Sequence, residues 1–239
     1  MSSGNESLSA FETGTITECV PMLSGSNNAF RVSIVDSNGQ VLYGVYKPQR
    51  GERPLWDFPN GSLYRRERAA YLLALLANWE FIPTTIVREG PYGIGSIQEM
   101  ISFQSSHGYF DLDSSHTDQL WSIAVFDLVA NNADRKGGHC LLDANDKVWS
   151  IDHGLTFHSD FKVRTVIWDF WGADIPQHML RGLEDLQRAL YMDSQEGREL
   201  ESLISSKELF ALNKRVEAII ELGRHPMLDE YRNVPWPPF

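Results

Sequence analysis

Apolar and polar residues alternate on both sides of a strong turn signal early in the chain. Residues 30–34 alternate in this way, residues 36–39 (Asp-Ser-Asn-Gly) supply the turn, and residues 41–45 resume the alternation. This pattern predicts a β-hairpin. Lys47 continues the face that carries the apolar residues of the second strand, and Pro48 ends the ladder because it has no N–H to donate.

A helical pattern that carries a carboxylate on its apolar face follows the hairpin. Ser62 can cap a helix that runs to about Asn78, and Glu67 falls among the apolar residues that recur along it at helical spacing. Two further strand patterns flank a Glu-Gly-Pro turn at 89–91. The order of hairpin, helix and strands predicts a small α+β lobe over residues 15–101.

The second half of the chain is predicted to be mostly helical. A capping pattern opens an apolar helix near Ser115, the polar segment 131–139 follows it, and residues 177–223 are again helical in pattern. We therefore expect a helical lobe over residues 102–239. Residues 1–14 are rich in polar and small residues, and this composition predicts a disordered N-terminus.

Length and charge exclude several classes of protein. The chain has 239 residues, which is enough to bury a large core. Its net charge of −11 disfavours non-specific binding to nucleic acid or to an anionic membrane. The two cysteines, Cys19 and Cys140, are too few for a disulfide scaffold. With no secretory signal and no apolar run of about 18 residues, the expected location is the cytoplasm.

Lys47 and Glu67 are the first candidates for chemistry. A lysine on an otherwise apolar strand face needs a partner for its charge, and Glu67 on the inward stripe of the next helix can supply it. Such a pair, joining strand to helix, can hold the phosphates of a nucleotide. In the alternative interpretation, Lys47 only keeps an edge strand soluble.

The second group of candidates lies after the apolar helix. Asp134 is followed five residues later by His139, a spacing that can provide a carboxylate to orient a hydroxyl and a ligand for a divalent ion. Asp152, directly before His153-Gly154, could hold the same ion. The alternative is an Asx-turn loop with a solvated histidine.

These motifs together resemble the phosphatidylinositol 3- and 4-kinase-like superfamily, over roughly residues 24–222. Within it, the chain looks closest to a group of bacterial proteins with a reduced version of the catalytic domain. The resemblance rests on four segments: Tyr46-Lys47-Pro48, Arg66-Glu67-x-Ala69-Ala70-Tyr71, Asn132-Ala133-Asp134-Arg135 and Ile151-Asp152-His153-Gly154. It implies an α+β, two-lobed protein-kinase-like fold: a small β-rich N-lobe with one key helix and a mostly helical C-lobe, with ATP between them.

The resemblance also implies a role for each matching residue. Lys47 matches the phosphate-contacting lysine, Glu67 its helix partner, Asp134 with Arg135 the catalytic loop, and Asp152 the metal-binding aspartate. Other segments match by position. Ser26, Asn27 and Asn28 fall where the phosphate-covering loop lies, and Glu99, Met100 and Ile101 fall where the connector between the lobes contacts adenine.

His139 is the main departure from the family pattern, which has Asn at this position. We expect His139 to complete a Mg²⁺ or Mn²⁺ site with Asp152. An imidazole suits manganese better than it suits magnesium, which prefers oxygen donors. The alternative is that His139 only caps the glycine turn. The segment 157–176 offers only Lys162 and Arg164 as basic residues, which disfavours a phosphoinositide substrate.

The sequence therefore predicts an ATP-dependent phosphotransferase that acts on a hydroxyl, of a protein rather than of a lipid. Its expected partners are the nucleotide and an unidentified acceptor, either a protein or a small molecule, with no nucleic acid and no stable membrane association. Two alternatives stay open: a nucleotide-binding pseudokinase or scaffold, and a nucleotidyl transferase. The acceptor and the oligomeric state are not specified by the sequence.

Overall fold

The structure, a computed structural model, describes residues 2–22, 28–103, 108–192 and 194–239, with side chains from residue 8 onward in the first helix. Five strands and two helices come first, and helices dominate the rest. In chain order the elements are α1 (Ser2–Thr13), β1 (Thr15–Pro21), β2 (Phe30–Val35), β3 (Val41–Pro48), α2 (Leu63–Leu76), β4 (Thr85–Gly90), β5 (Gly93–Glu99), α3 (Thr117–Ala130), β6 (Cys140–Leu142), β7 (Val148–Ser150), α4 (Gln177–Tyr191), α5 (Gln195–Leu203) and α6 (Ser206–Leu222).

The first five strands form one antiparallel sheet in the order β1-β2-β3-β5-β4. The hairpin β2–β3 is the one predicted from the alternation. Its turn is closed by Asp36, whose Oδ1 accepts from the backbone N–H groups of Asn38 and Gln40, both at 2.8 Å. β3 lies in the middle of the sheet, and Lys47 stands opposite Ser96 of β5. Lys47 is therefore not an edge-strand residue.

The helix α2 is fixed to the C-terminal helices by two buried arginines. Arg66 donates to Glu208 of α6 at 2.6 Å, and Arg68 donates to Glu199 of α5 at 2.8 and 2.9 Å. These charge-assisted bonds compensate the charges of two arginines that are only 2% and 6% exposed. Glu67 lies between them, so its position depends on contacts on both sides of the helix.

Two main clusters of buried apolar residues support the molecule. The smaller one lies under the sheet and includes Val32, Tyr46 and Ile97. The larger one joins α2 to the helices that follow it, from Ala69 to Ile219. The expected α+β architecture, with a β-rich N-terminal region, one key helix and a helical C-terminal region, is confirmed.

The N-terminus differs from the sequence prediction. Residues 2–13 form α1 rather than a disordered segment. Phe11 is fully buried in the cluster under the sheet, and Leu8 packs against the same cluster. Arg88 of β4 donates to the carbonyl oxygens of Phe11 and Gly14, at 2.8 and 2.9 Å, and so compensates backbone groups at the end of the helix. The prediction failed because this helix depends on contacts with a distant strand.

Among the described residues, no helix combines the length and the hydropathy needed to cross a membrane.

Candidate active site

Lys47 lies on the more open face of β3. Along this strand Gly44, Tyr46 and Pro48 are buried, whereas Tyr43 on the other face is 48% exposed. The side chain of Lys47, which shares the face of Tyr43, is one quarter exposed. The apolar face anticipated around this lysine is therefore the partly exposed face of the strand rather than the face packed on the core, as a ligand-contacting lysine requires.

Glu67 and Asp152 both contact the Lys47 ammonium. Its Nζ lies 2.5 Å from Oε1 of Glu67 and 2.9 Å from Oδ1 of Asp152. The other oxygen of Glu67, Oε2, accepts from the backbone N–H of His153 at 2.9 Å. One buried carboxylate thus binds both the strand lysine and the turn that carries Asp152. The structure brings together three of the residues singled out in the sequence.

Asp152 has a backbone conformation that non-glycine residues adopt uncommonly, with φ of 60°. It follows the short hairpin β6–β7, and its side chain is about half exposed. Residues with such a backbone conformation are common at functional sites, and they persist only where surrounding contacts maintain them. Here the bond from His153 to Glu67 is such a contact.

The charges of this group support one another. The positive charge of Lys47 holds the pKa of Asp152 well below its usual range, although burial opposes this shift. Burial by itself lowers the pKa of Lys47, but the negative charges of Asp152 and Glu67 outweigh it, and the pKa of Lys47 is raised. Lys47 and Asp152 therefore both carry their charges at neutral pH.

The loop after α3 is organised by a buried ion pair. Asp127 and Arg135 are both fully buried, with Nη2 of Arg135 at 2.9 Å from Oδ1 of Asp127. Arg135 also donates to the carbonyl oxygen of Ile151 at 2.9 Å, and Asn132 donates to Asp127 at 2.8 Å. The guanidinium of Arg135 thus ties the loop to the residue before Asp152.

This environment corrects the catalytic assignment expected for Arg135. A guanidinium that is 0% exposed and bound to Asp127 and backbone carbonyls cannot touch a substrate. Asp127 was not anticipated in the sequence analysis, although a signal existed. It is a carboxylate within the otherwise apolar run 123–130 of α3, and a buried carboxylate needs a cationic partner.

Asp134 lies in the same loop and is accessible. Its side chain is one third exposed, and its Oδ2 lies 3.5 Å from Nζ of Lys136. The backbone N–H of Asp134 donates to Oδ1 of Asn132 at 3.2 Å, which fixes its position after the helix. Burial raises the pKa of the Asp134 carboxyl, with the charge of Asp152 as a further contribution. A carboxylate with a raised pKa is better suited to accept a proton.

His139 also faces Asp152, but its contacts favour the capping alternative. Nδ1 accepts from the backbone N–H of Lys136 at 3.3 Å, and Nε2 lies 3.4 Å from Oδ2 of Asp152. Burial lowers the pKa of His139 to about 4, so the ring is neutral and, with Nδ1 accepting, its proton is on Nε2. Ligation of a metal ion through Nε2 would require the proton to move to Nδ1, which would end the bond from Lys136.

The donor groups still suit a divalent cation at Asp152. In the described part of the chain, no group of three or more His, Cys, Asp or Glu side chains is arranged to hold a metal on its own. Magnesium, however, is commonly bound through one or two carboxylates together with substrate phosphates. The half-exposed carboxylate of Asp152 fits that pattern.

The remaining predicted residues lie apart from this group. Ser26 and Asn27 are outside the described residues, and Asn28 donates its backbone N–H to Gly51 at 3.3 Å. The connector begins at the end of β5, where Glu99 donates to Thr84 O at 2.8 Å and Met100 donates to Tyr43 O at 2.9 Å. Ile101 follows Met100. The connector is thus bonded to β3, the strand that carries Lys47.

Solved kinases share this fold. The chain is similar to the Golgi casein kinase solved with Mn and ADP bound, with a TM-score of 0.54 and 14% identity over 91% of this chain and 74% of that chain. It is also similar to hydra Fam20 solved with sugar, with a TM-score of 0.53 and 14% identity over 90% of this chain and 87% of that chain. The chain therefore has a kinase-like fold.

A relative is found at the level of sequence. Protein Rv2133c of Mycobacterium tuberculosis (strain ATCC 25618 / H37Rv) is 35% identical over an alignment 233 residues long. The match covers 83% of this chain and 83% of that protein. The chain belongs to the family of this mycobacterial protein. No model of a protein family matches the chain.

Proposed function

We propose that the protein is an ATP-dependent phosphotransferase that moves the γ-phosphoryl group of ATP to a hydroxyl. The observation that carries this proposal is the contact of Lys47 with both Glu67 and Asp152 at the border of the sheet and the helical region. Phosphoryl transfer needs a lysine held by a glutamate, a carboxylate for the metal and a second carboxylate for the acceptor. Asp134 is the candidate for the last role.

The nucleotide would lie against the open face of β3. In this arrangement Lys47 contacts the phosphates, and Glu67 keeps its ammonium in place. Glu99, Met100 and Ile101 would contact adenine, since the connector is bonded to Tyr43 on the same strand. Asn28, with Ser26 and Asn27, would cover the phosphates; this assignment rests on sequence position.

A divalent ion, Mg²⁺ or Mn²⁺, would be held by Asp152 and by phosphate oxygens of the nucleotide. Such an ion neutralises the charge that develops on the transferring group. The role we give His139 is different from ligation. Its Nε2 lies 3.4 Å from Oδ2 of Asp152, and we propose that this contact helps to fix the orientation of the carboxylate.

Asp134 would orient the acceptor hydroxyl and accept its proton. Its raised pKa and partial exposure support this role. The buried pair of Asp127 and Arg135 holds the loop that carries Asp134, so that the carboxylate is positioned before the acceptor arrives.

We place the acceptor on a protein rather than on a lipid. Of the two basic residues in segment 157–176, Lys162 is already paired with Asp57 at 2.8 Å. The order of the lysine strand, glutamate helix, Asp-Arg loop and Asp-x-Gly turn supports a distant relationship to the phosphatidylinositol 3- and 4-kinase-like superfamily. The free cysteines Cys19 and Cys140 are compatible with the cytoplasmic location that we propose.

The test is to incubate the purified protein with ATP and magnesium, together with a lysate of its source organism, and to analyse the modified proteins by mass spectrometry. A gain of about 80 mass units marks phosphoryl transfer, and a gain of about 329 marks adenylyl transfer. We expect the first with wild type and not with Asp134→Asn. Adenylylation would assign a nucleotidyl transferase, and no modification beside measurable ATP binding would assign a pseudokinase.

A further inference from the structure

A groove beside the catalytic loop has no role in the proposed transfer of phosphate. Its volume is about 890 Å³, and it lies between residues 161–164 and residues 227–236. The two sides are fixed to each other by Asn233. Its side-chain N–H donates to the carbonyl oxygen of Val163 at 2.6 Å, and its own carbonyl oxygen accepts from Thr165 N–H at 2.8 Å. The groove is therefore part of the folded structure.

One side of the groove is bonded directly to the loop that carries Asp134. The backbone of Arg164 donates to Asn132 O at 2.9 Å and accepts from Arg135 N–H at 2.9 Å. Arg135 and Thr165 also form a parallel β-bridge. A chain lying in the groove would thus pass beside Asp134, the residue proposed to orient the acceptor.

The charge of the groove is opposite to that of the whole chain. Lys162, Arg164 and Arg232 line it together with a single acidic residue, Asp229, whereas the chain carries −11 overall. Lys162 is paired with Asp57, and Asp229 accepts from the backbone N–H groups of its own turn. Within the described residues, the guanidinium groups of Arg164 and Arg232 form no hydrogen bond or ion pair; both are exposed.

Exposed aromatic side chains accompany these charges. Phe161 is 57% exposed, Tyr231 91% and Trp236 90%, and all three line the groove. Aromatic residues and arginine are the types enriched where one protein anchors another. An extended anionic surface such as a membrane or a nucleic acid would be repelled by the net charge of the chain, whereas a short peptide meets only the local charge.

We propose that this groove binds the acceptor protein through a short acidic segment, with its carboxylates on Arg164 and Arg232. The proposal rests on the proposed function, because it makes the groove the place where the acceptor hydroxyl is brought to Asp134. It narrows the substrate class to hydroxyl residues that lie next to Asp or Glu.

Direct binding tests the groove separately from the transfer of phosphate. A fluorescein-labelled peptide with one serine among Asp and Glu residues would be titrated with protein by fluorescence polarisation, without nucleotide. The matched peptide has Asn and Gln at the acidic positions. We expect the acidic peptide to bind more tightly, with an affinity that falls as salt is added. Arg232→Glu should weaken it about tenfold or more.

Lys207→Glu is the matched control, because it makes the same change in charge at an exposed residue on the first turn of α6, outside the groove. It should leave the affinity for the peptide unchanged. Equal binding of both peptides, no binding of either, or equal losses in Arg232→Glu and Lys207→Glu would overturn the proposal. So would binding to phosphatidylglycerol vesicles or to RNA that depends on Arg232 while the acidic peptide does not bind.

Calorimetric titration with ATP and magnesium reports on the proposed function alone. A wild-type protein that binds the acidic peptide but not ATP would support peptide binding in the groove and would contradict the proposed phosphotransferase. ATP binding with no peptide binding would do the opposite.

Discussion

Asp152 and Asp134 have different environments, and the separate roles that we propose for them rest on this difference. Asp152 is bound to Lys47 and has a lowered pKa, whereas Asp134 has a raised pKa and only a 3.5 Å contact with Lys136. A carboxylate that stays ionised suits a metal ion, and one with a raised pKa suits an incoming proton. The assignment can be tested with one conservative change at each residue.

We expect Asp152→Asn to reduce magnesium-dependent ATP binding and turnover together. Asp134→Asn should keep the affinity for ATP within about a factor of two and lower kcat by a factor of about 100 or more, the range for loss of a general base. Calorimetry gives the affinity and a steady-state assay gives kcat. Equal losses of ATP affinity in both variants would contradict the separation of roles.

His139 carries a further prediction at this scale. Because its Nδ1 accepts from Lys136 and its Nε2 is protonated, we expect His139→Asn to leave the relative activity with magnesium and manganese unchanged. The asparagine amide can still donate to Asp152, so activity should fall by less than about tenfold. The measurement compares initial rates with the two metals. A change from manganese to magnesium preference in the variant would show that the imidazole is a ligand.

At the scale of elements, the loop after α3 depends on the buried pair of Asp127 and Arg135. Asp127→Asn leaves the charge of Arg135 buried without a counter-charge, and we expect it to lower the free energy of unfolding by about 3–5 kcal/mol. Urea denaturation gives this value. In the double variant Asp127→Leu with Arg135→Met, most of the loss should be recovered, while activity stays low. A single variant as stable as wild type would mean that the pair does not hold the loop.

Which elements the sequence could predict depended on where their contacts lie. The hairpin β2–β3 follows from local alternation and an Asp-Ser-Asn-Gly turn, and the structure has it at Phe30–Val35 and Val41–Pro48. The helix α1 and strand β1 were missed. The first depends on Arg88, which is far along the chain, and the second has no buried residue among its seven. Such elements leave little local signal.

The same distinction holds for the site. Lys47 and Glu67 could be found because charged residues are costly on apolar faces, and Asp152 could be found from its place in the segment Ile151-Asp152-His153-Gly154. The structure joins all three. The orientation of the imidazole of His139 depends on the backbone of Lys136, and the burial of Arg135 depends on Asp127. Neither contact can be predicted from the spacing of residues in the sequence. The sequence therefore indicated which residues belong to the site better than it indicated what each of them does.

At the scale of the whole molecule, buried histidines link stability to pH. His225 is fully buried, and its Nδ1 donates to Pro226 O at 2.9 Å. Burial lowers its pKa below the usual value, and burial also lowers that of His153. Since the unfolded chain takes up these protons first, stability is complete above about pH 6.5 and is lost as the pH falls below it.

We therefore expect the free energy of unfolding in urea to be lower at pH 5.5 than at pH 7.5. His225→Phe removes one of the responsible groups at a site remote from Asp152, and its decrease over the same interval should be smaller than that of wild type. Phe can keep the edge contact with Trp121, whose ring lies 6.5 Å from the imidazole. A variant with the wild-type dependence on pH would show that His225 does not contribute.

The central claim is that Lys47, held by Glu67 and Asp152, binds the phosphates of ATP, and calorimetric titration of Lys47→Met with ATP and magnesium tests it most directly. Thermal unfolding would first establish that the variant is folded, and Lys207→Met, an exposed lysine on α6, is the matched control. We predict that wild type and Lys207→Met bind ATP alike and that Lys47→Met binds it more weakly by about 1–3 kcal/mol. A folded Lys47→Met protein with the ATP affinity of wild type would contradict the account.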